Sequence, residues 1–446
     1  MPSQLRYKRL IHSASVVPPV SPRMAIERKA TDMALLRRRE FLETAVASAS
    51  LLGFGTALAQ SGPPASEQIR VGVIGTGTRG RQLIDQVPSP GKVVAICDVD
   101  LSRAEKTKER RGTSWPVYQD YREMLDKEQM DAVIVATPDH TRVLISIHAM
   151  QAGLDVYAEK PLSLYIAEGR TLVKAARHYN KIVQVGSQQR TMEMNGFACR
   201  LVRDGGIGTI RAVHGMRYKG PMIYKGLPKE PIPDYLNWEL WQAQAPARPY
   251  NDKLRHVWDY RAYTGGEVCN WGAHGMDQIQ WALGKSLTGP TEVWPTSLGP
   301  DAAVAMRYAD GVQVHYDLDR GPRGGGVFTG TEAKIEINRN KFVTNPEDFI
   351  ADPPEPAVAE KWEGKGWIAR PHVQNWLDCI KTRELPNADV EIGHRSVSIC
   401  HLVNITRELN RKLRWDPDRE EFVGDAEANE LLVRDRRAGY ELPKIG

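Results

Sequence analysis

Between residues 69 and 188 the chain alternates short apolar runs with longer amphipathic ones. "IRVGVI" (Ile69–Ile74), "KVVAICDVD", "MDAVIVATPDH", "LDVYAEKPLS" and "KIVQVGSQQR" are nearly continuous in Val, Ile and Ala. Runs of that kind read as strands buried on both faces, as in a parallel sheet covered by helices. Stretches with helical periodicity separate them, for example residues 141–152. The pattern predicts a doubly wound α/β sheet. Its ligands belong in the crevice at the carboxyl ends of the strands, where polar residues gather: Asp98, Thr137-Pro138, His140, Glu159-Lys160-Pro161 and Gln188.

Past residue 187 the alternation stops. "TIRAVHGMRYKG", "AAVAMRYADGVQVHYDLD" and "AKIEINRNKFV" are strand-like, with Ala309-Asp310-Gly311 as a hairpin turn. Residues 220–263, rich in Pro, Trp and Tyr, read as a long, partly ordered loop. "PHVQNWLDCIKT" and "GHRSVSICHLVNITRELNRKL" read as late helices that pack back on the domains. The expected organisation is an N-terminal extension (1–59), a nucleotide domain (66–186) and a second domain (187–446).

The first strand turns at Gly75-x-Gly77-x-x-Gly80 into a helical pattern. In that setting the glycines make a tight turn, admit a pyrophosphate to the backbone, and pack helix on strand. Thr76, Thr78 and Arg79 fill the loop. Asp98 follows Gly75 by 23 residues, where a carboxylate takes the ribose hydroxyls and repels a 2′-phosphate. The expected cofactor is therefore NAD rather than NADP.

Charge narrows the partners. Residues 1–60 hold nine Lys/Arg against four Asp/Glu, which accounts for the whole net charge of +5 and leaves the remainder neutral. A neutral body offers no electrostatic footprint for nucleic acid. The five cysteines are scattered and form no CxxC pair, so neither a disulfide framework nor a zinc ribbon is expected. Cys97 and Cys400 lie in apolar runs and read as core.

"RRREFL" (37–42) precedes an apolar run too short and too rich in Ala, Ser and Gly to span a bilayer. Arg38-Arg39-Glu40-Phe41-Leu42 matches a twin-arginine signal, and Ala57-x-Ala59 fits a cleavage site. Residues 1–32 are patternless, and Met33 is a plausible start. The expectation is periplasmic export of a folded protein with no stable membrane span after cleavage. Free nicotinamide nucleotide is absent outside, so the cofactor is expected to be held tightly and regenerated in place.

"VGVIGTGTRG", "ATPDH", "AEKP", "VGSQQR", "NWELWQAQAPARPYN", "GGEVCNWGAHGMDQIQWALG" and the tail from "WDPDREEFVGD" onward together resemble the Gfo/Idh/MocA family, that of glucose-fructose oxidoreductase and inositol dehydrogenase. The resemblance covers most of the chain from residue 69. It implies a Rossmann domain followed by an α+β domain with an open, mostly antiparallel sheet, often used to form homo-oligomers.

If residues 267–282 are helical, Asn270, His274 and Asp277 fall on one face, with Gly272 and Gly275 off it for close packing. Lys160 is the first candidate for proton transfer. A lysine buried beside a cationic nicotinamide loses affinity for its proton. The resemblance gives the equivalent lysine that place, with a histidine matching His274 sharing the work. The family usually has an aspartate where this chain has Asn270, and an amide cannot relay a proton. That departure admits a redox-neutral, NAD-dependent glycoside cleavage, or a non-catalytic sugar- or nucleotide-binding module, beside oxidation of a sugar or cyclitol hydroxyl. Trp238, Trp241, Trp258, Tyr260 and Trp271 are candidate platforms for a sugar's C–H faces. Arg190, Arg261, His256 and Asp277 are candidate polar contacts. No metal is expected, since His274 and Asp277 alone make a weak site.

Overall fold

The computed structural model describes residues 68–256, 260–360, 362 and 368–445. The export signal at 1–59 and Trp258 lie outside the described residues. From Ala65 to Gly446 the chain is one compact unit.

Six strands, β1 (Ile69–Ile74), β2 (Gly91–Cys97), β3 (Val117–Tyr118), β4 (Ala132–Val135), β5 (Asp155–Ala158) and β6 (Val183–Val185), form an all-parallel sheet in the order β3-β2-β1-β4-β5-β6. That is the Rossmann order, with the switch point between β1 and β4. Helices α1 (Thr78–Ile84), α2 (Leu101–Glu109), α3 (Tyr121–Lys127), α4 (Asp139–Gln151) and α5 (Ile166–His178) make the connections. Val71, Val73, Ala132, Val133, Ile134 and Val135 are all fully buried, as strands covered on both faces must be. A 3-10 turn (Gln188–Thr191) and α6 (Glu193–Arg203) lead into the second half.

There, nine strands form a second sheet: β7 (Ala212–Met216), β8 (Glu292–Pro295), β9 (Val304–Arg307), β10 (Gln313–Leu318), β11 (Gly326–Thr329), β12 (Lys334–Asn338), β13 (Lys341–Asn345), β14 (Leu413–Asp416) and β15 (Glu421–Phe422). Their order is β13-β12-β11-β7-β10-β9-β8-β14-β15, antiparallel except where β10 runs parallel to β7. Gly311, in the left-handed region at φ +89°, turns β9 into β10. "AKIEINRNKFV" is not one strand but the hairpin β12–β13, with a two-residue turn at Arg339-Asn340.

The described residues of the 220–263 segment are more ordered than a loop. They carry α7 (Trp238–Gln242) and α8 (Lys253–His256) and bury Leu236, Trp238, Trp241, Tyr250, Leu254 and Tyr263 in a small aromatic core. Helix α9 (Glu267–Ala282) packs on the second sheet through Ile279, which lies against Gly215 of β7 and Gly326 of β11, and a short α10 spans Ala357–Glu360. Helices α11 (Arg370–Thr382) and α12 (Val390–Leu409) return to the Rossmann half. Trp376 packs with Val71 and Ile134, and Val390 and Val397 pack with Val183. A short α13 (Ala426–Glu430) precedes the tail. Cys97 and Cys400 are buried core residues. No helix among the described residues is long and apolar enough to cross a membrane.

Candidate active site

The turn after β1 requires glycine. Gly75 has φ +94°, and a Cβ there would stand 2.7 Å from the Ala136 carbonyl oxygen. At Gly80 a Cβ would fall 1.9 Å from the Gly75 oxygen, so Gly80 packs α1 on the turn and does not reach the cavity wall. Gly77 caps α1 without a side-chain hydrogen bond, which leaves first-turn N–H groups for a ligand. Gly75, Gly77, Thr78 and Arg79 line a cavity of about 650 Å³, within the range of cofactor sites.

Asp98, at the end of β2, is on the same wall. Its Oδ2 accepts from the Thr76 N–H at 2.8 Å and the Thr76 hydroxyl at 3.0 Å, and its Oδ1 from the Asp100 N–H at 3.0 Å. Thr76 therefore positions the carboxylate instead of lining the cavity. Thr137, Pro138, Glu159, Lys160 and Gln188 complete the strand-end wall. Thr137 Oγ1 and Gln188 Oε1 are buried there with no partner within the protein. Buried polar atoms of that kind call for a polar ligand, and together with the glycine cradle and Asp98 they fit a nicotinamide dinucleotide.

Glu159 does not pair with the Lys160 ammonium. Its Oε1 accepts from Arg79 Nε at 2.7 Å and its Oε2 from the Lys160 N–H at 3.1 Å. The ammonium instead donates to Asn270, at 2.9 Å to Oδ1 and 3.2 Å to the main-chain oxygen. Burial pulls the Lys160 pKa down to about 8, against the opposing pull of Glu159 and Asp139.

Gly266, at φ +75°, opens α9, and a Cβ there would clash with the Gly220 carbonyl carbon at 2.6 Å. Asn270, Trp271 and His274 reach the cavity wall. Burial, reinforced by the charges of Arg339, Lys160 and Arg79, holds the His274 pKa well below its ordinary value, so the imidazole is neutral. One turn on, Asp277 leaves the site. It is buried against Arg190 (2.8 Å) and accepts from the Ser396 hydroxyl at 2.5 Å, so Arg190 and Asp277 satisfy each other inside the protein and neither contacts the cavity. Arg261 is likewise directed away, to an ion pair with Glu408. His140 is fully buried, with Nε2 2.8 Å from the Trp241 carbonyl and its ring against Trp241 and Tyr263. It supports the aromatic core and does not face a cofactor. Of the aromatic platforms, Trp241 and Trp271 line the cavity, while Trp238 stacks behind Trp241 at 4.7 Å.

Several wall residues had no local signal in the sequence: Arg103, Tyr121, Gln244, Arg255, Thr264 and Tyr440. Gln244 and Arg255 reach the site through the 220–263 segment, which is strapped over the Rossmann half. Leu236 bridges Asp100, the Leu101 N–H donates to the Tyr235 carbonyl, and the Asn237 N–H donates to the Val99 carbonyl, both at 2.9 Å. Arg255 forms a buried ion pair with Asp100. Among the described residues no group of three or more His, Cys, Asp or Glu is placed to hold a metal.

A family model described as an oxidoreductase family with an NAD-binding Rossmann fold matches residues 69–187, and the model of its C-terminal alpha/beta domain matches residues 207–442. The inositol 2-dehydrogenase of Rubrobacter xylanophilus is 32% identical over 355 residues, covering 75% of this chain and 90% of that protein. Among solved structures, the aldose-aldose oxidoreductase of Caulobacter crescentus complexed with glycerol superposes at TM-score 0.57 and 17% identity. The WlbA dehydrogenase of Bordetella pertussis in complex with NADH and UDP-GlcNAcA gives 0.57 and 18%. Each covers 78% of this chain and 99% of its own, a likeness of fold. With both halves matched and a full-length relative at that identity, the chain belongs to the Gfo/Idh/MocA family of NAD-dependent oxidoreductases.

Proposed function

We propose that this protein oxidises a secondary hydroxyl of a sugar, sugar derivative or cyclitol, with Lys160 receiving the hydroxyl proton. The observation that carries this reading is a half-buried lysine on the wall of the cofactor cavity, its Nζ held by Asn270 Oδ1 at 2.9 Å, with burial pulling its pKa down to about 8. NAD, bound along Gly75–Asp98, supplies the hydride acceptor. Lys160 is near enough to neutrality at physiological pH to act as a base, and a positively charged nicotinamide would push it further the same way. Neutral His274 offers a ring nitrogen to a neighbouring hydroxyl. Asn270 takes no proton; it holds the Lys160 Nζ at the cavity. Trp241 and Trp271 offer flat faces to the ring's C–H groups. The relative from Rubrobacter is named for the oxidation of inositol, which supports a cyclitol or sugar as substrate.

The reading extends to retention and location. The strap formed by residues 220–263 supports a cofactor that stays bound, and the twin-arginine pattern at 38–42 supports export of the folded holoprotein to the periplasm. The open face of the nine-stranded sheet, where half-buried His214 and His315 stack at 5.3 Å, is the surface we assign to contact between copies. The test is to denature purified mature protein, assay the released nucleotide, and then offer sugars and myo-inositol to the intact holoprotein. About one NAD per chain, with NADH or a keto-sugar formed, supports the reading. Net hydrolysis of a glycoside without NADH transfers the site to the redox-neutral chemistry. Full turnover by Lys160→Met removes Lys160 from its role.

A further inference from the structure

We propose that the C-terminal tail completes the nucleotide site, with the ring of Tyr440 packed on the adenine of bound NAD. The inference goes beyond the choice of substrate and does not depend on Lys160 or on which hydroxyl is oxidised. Its basis is what lines the cavity around Tyr440 and how the tail is tied on either side of it.

In a Rossmann sheet the strands on either side of the switch point hold the two halves of the dinucleotide. Lys160, bound to Asn270, marks the β5 side, where the reacting ring belongs. Asp98, at the end of β2, marks the adenosine side. Next to Asp98 the wall becomes apolar and aromatic, with Val99 and then Tyr121 at the start of α3. The Tyr121 hydroxyl is turned onto His148 Nδ1 at 2.8 Å, which brings α4 to this side. Leu144 and Ile145, one turn earlier on α4, line the cavity, as do Leu240 of α7 and Tyr440. Burial and the Glu239 carboxylate raise the pKa of the Tyr440 phenol against the opposing charges of Arg437 and Arg122. Glu239 on α7 and Arg122 on α3 thus put Tyr440 at the β3 side of the cavity. A slot of aliphatic and aromatic side chains there suits a flat heteroaromatic base.

The tail is held by contacts to three parts of the molecule. Arg434 and Arg436 both donate to Glu168 Oε1 of α5, at 2.8 and 2.7 Å, with all three side chains less than a tenth exposed. Arg437 donates to the Ala243 carbonyl at 2.7 Å and to Glu239 at 2.9 Å, which joins the tail to the 220–263 strap. Its guanidinium lies 5.3 Å from the centre of the Tyr440 ring. Leu442 and Ile445 pack on the core of the Rossmann half. Between these points the Tyr440 N–H donates to the Arg437 carbonyl at 3.1 Å, in a turn that Gly439 allows at φ +83°. Contacts within the protein therefore fix the chain on both sides of Tyr440, and its ring meets a base at little further cost in entropy.

The experiment is equilibrium competition against NADH fluorescence in the purified protein, with ADP-ribose and nicotinamide mononucleotide as competitors. Tyr440→Ala is expected to weaken NADH and ADP-ribose on the order of tenfold and to leave nicotinamide mononucleotide, which has no adenine, unchanged. That unchanged binding also shows the variant to be folded. Tyr440→Phe keeps the ring and should bind all three as the parent does. NADH and ADP-ribose bound as tightly by Tyr440→Ala as by the parent would overturn the proposal. So would nicotinamide mononucleotide weakened to the same degree, which marks a general loosening, or Tyr440→Phe as weak as Tyr440→Ala, which assigns the effect to the hydroxyl. None of these results alters the separate test of Lys160.

Discussion

The Lys160 ammonium donates to both oxygens of Asn270, at 2.9 and 3.2 Å, and so ties the end of β5 to the first turn of α9. An amide oxygen orients the ammonium without adding a negative charge. Burial then dominates, and the lysine titrates near 8.

The sign of the pH dependence follows. The base must be neutral to take a proton, and below about 8 it is protonated. For the holoenzyme, kcat/KM is expected to rise about tenfold per pH unit up to a point at or below 8 and then level off. A flat profile from pH 6 to 9 with chemistry rate-limiting would remove Lys160 as the base.

Asn270→Asp would place a carboxylate within 3 Å of the ammonium. An opposite charge at that distance favours the protonated lysine. The rising limb should move towards higher pH by about 1–3 pH units, lowering activity at pH 7 and recovering it at higher pH. An unchanged profile would mean that Asn270 does not govern the proton affinity of Lys160.

Arg255 and Asp100 pair with 5% and 6% of their side chains exposed, where the 220–263 strap meets the nucleotide half. Arg255→Gln should speed NAD release on the order of tenfold, read by trapping released nucleotide with an external NAD-consuming enzyme. Release as slow as in the parent would show that the strap does not retain the cofactor.

Arg190 and Asp277, each 3% exposed in the side chain, satisfy one another in the interior. Arg190→Leu leaves a buried carboxylate unpaired and should cost about 3–5 kcal/mol in denaturant unfolding. KM measured on the folded fraction should stay near the parental value. A large KM change with stability intact would return Arg190 to the substrate.

Much of the nucleotide half was legible in the chain, because its signals are local. The order of apolar runs implies the parallel sheet, and the positive φ of Gly75 and the spacing to Asp98 belong to one short stretch. The helical spacing of Asn270 and His274 also placed both on the cavity wall. The same spacing misplaced Asp277: it lies one turn further along, where Arg190 and Ser396 arrive from other elements. His140 misled in a similar way, since a polar residue at a strand end can equally turn back into an aromatic core supplied from a hundred residues away.

Alternation of apolar and polar residues, glycine at turns that no side chain can enter, and a lysine at a buried strand end are properties of neighbouring residues, and those the chain determines by itself. Which carboxylate meets which guanidinium was decided only by folding. Glu159 took Arg79, Asp100 took Arg255, and Asp277 took Arg190, because such pairings depend on distances between segments far apart in sequence and on the cost of burying any charge left alone.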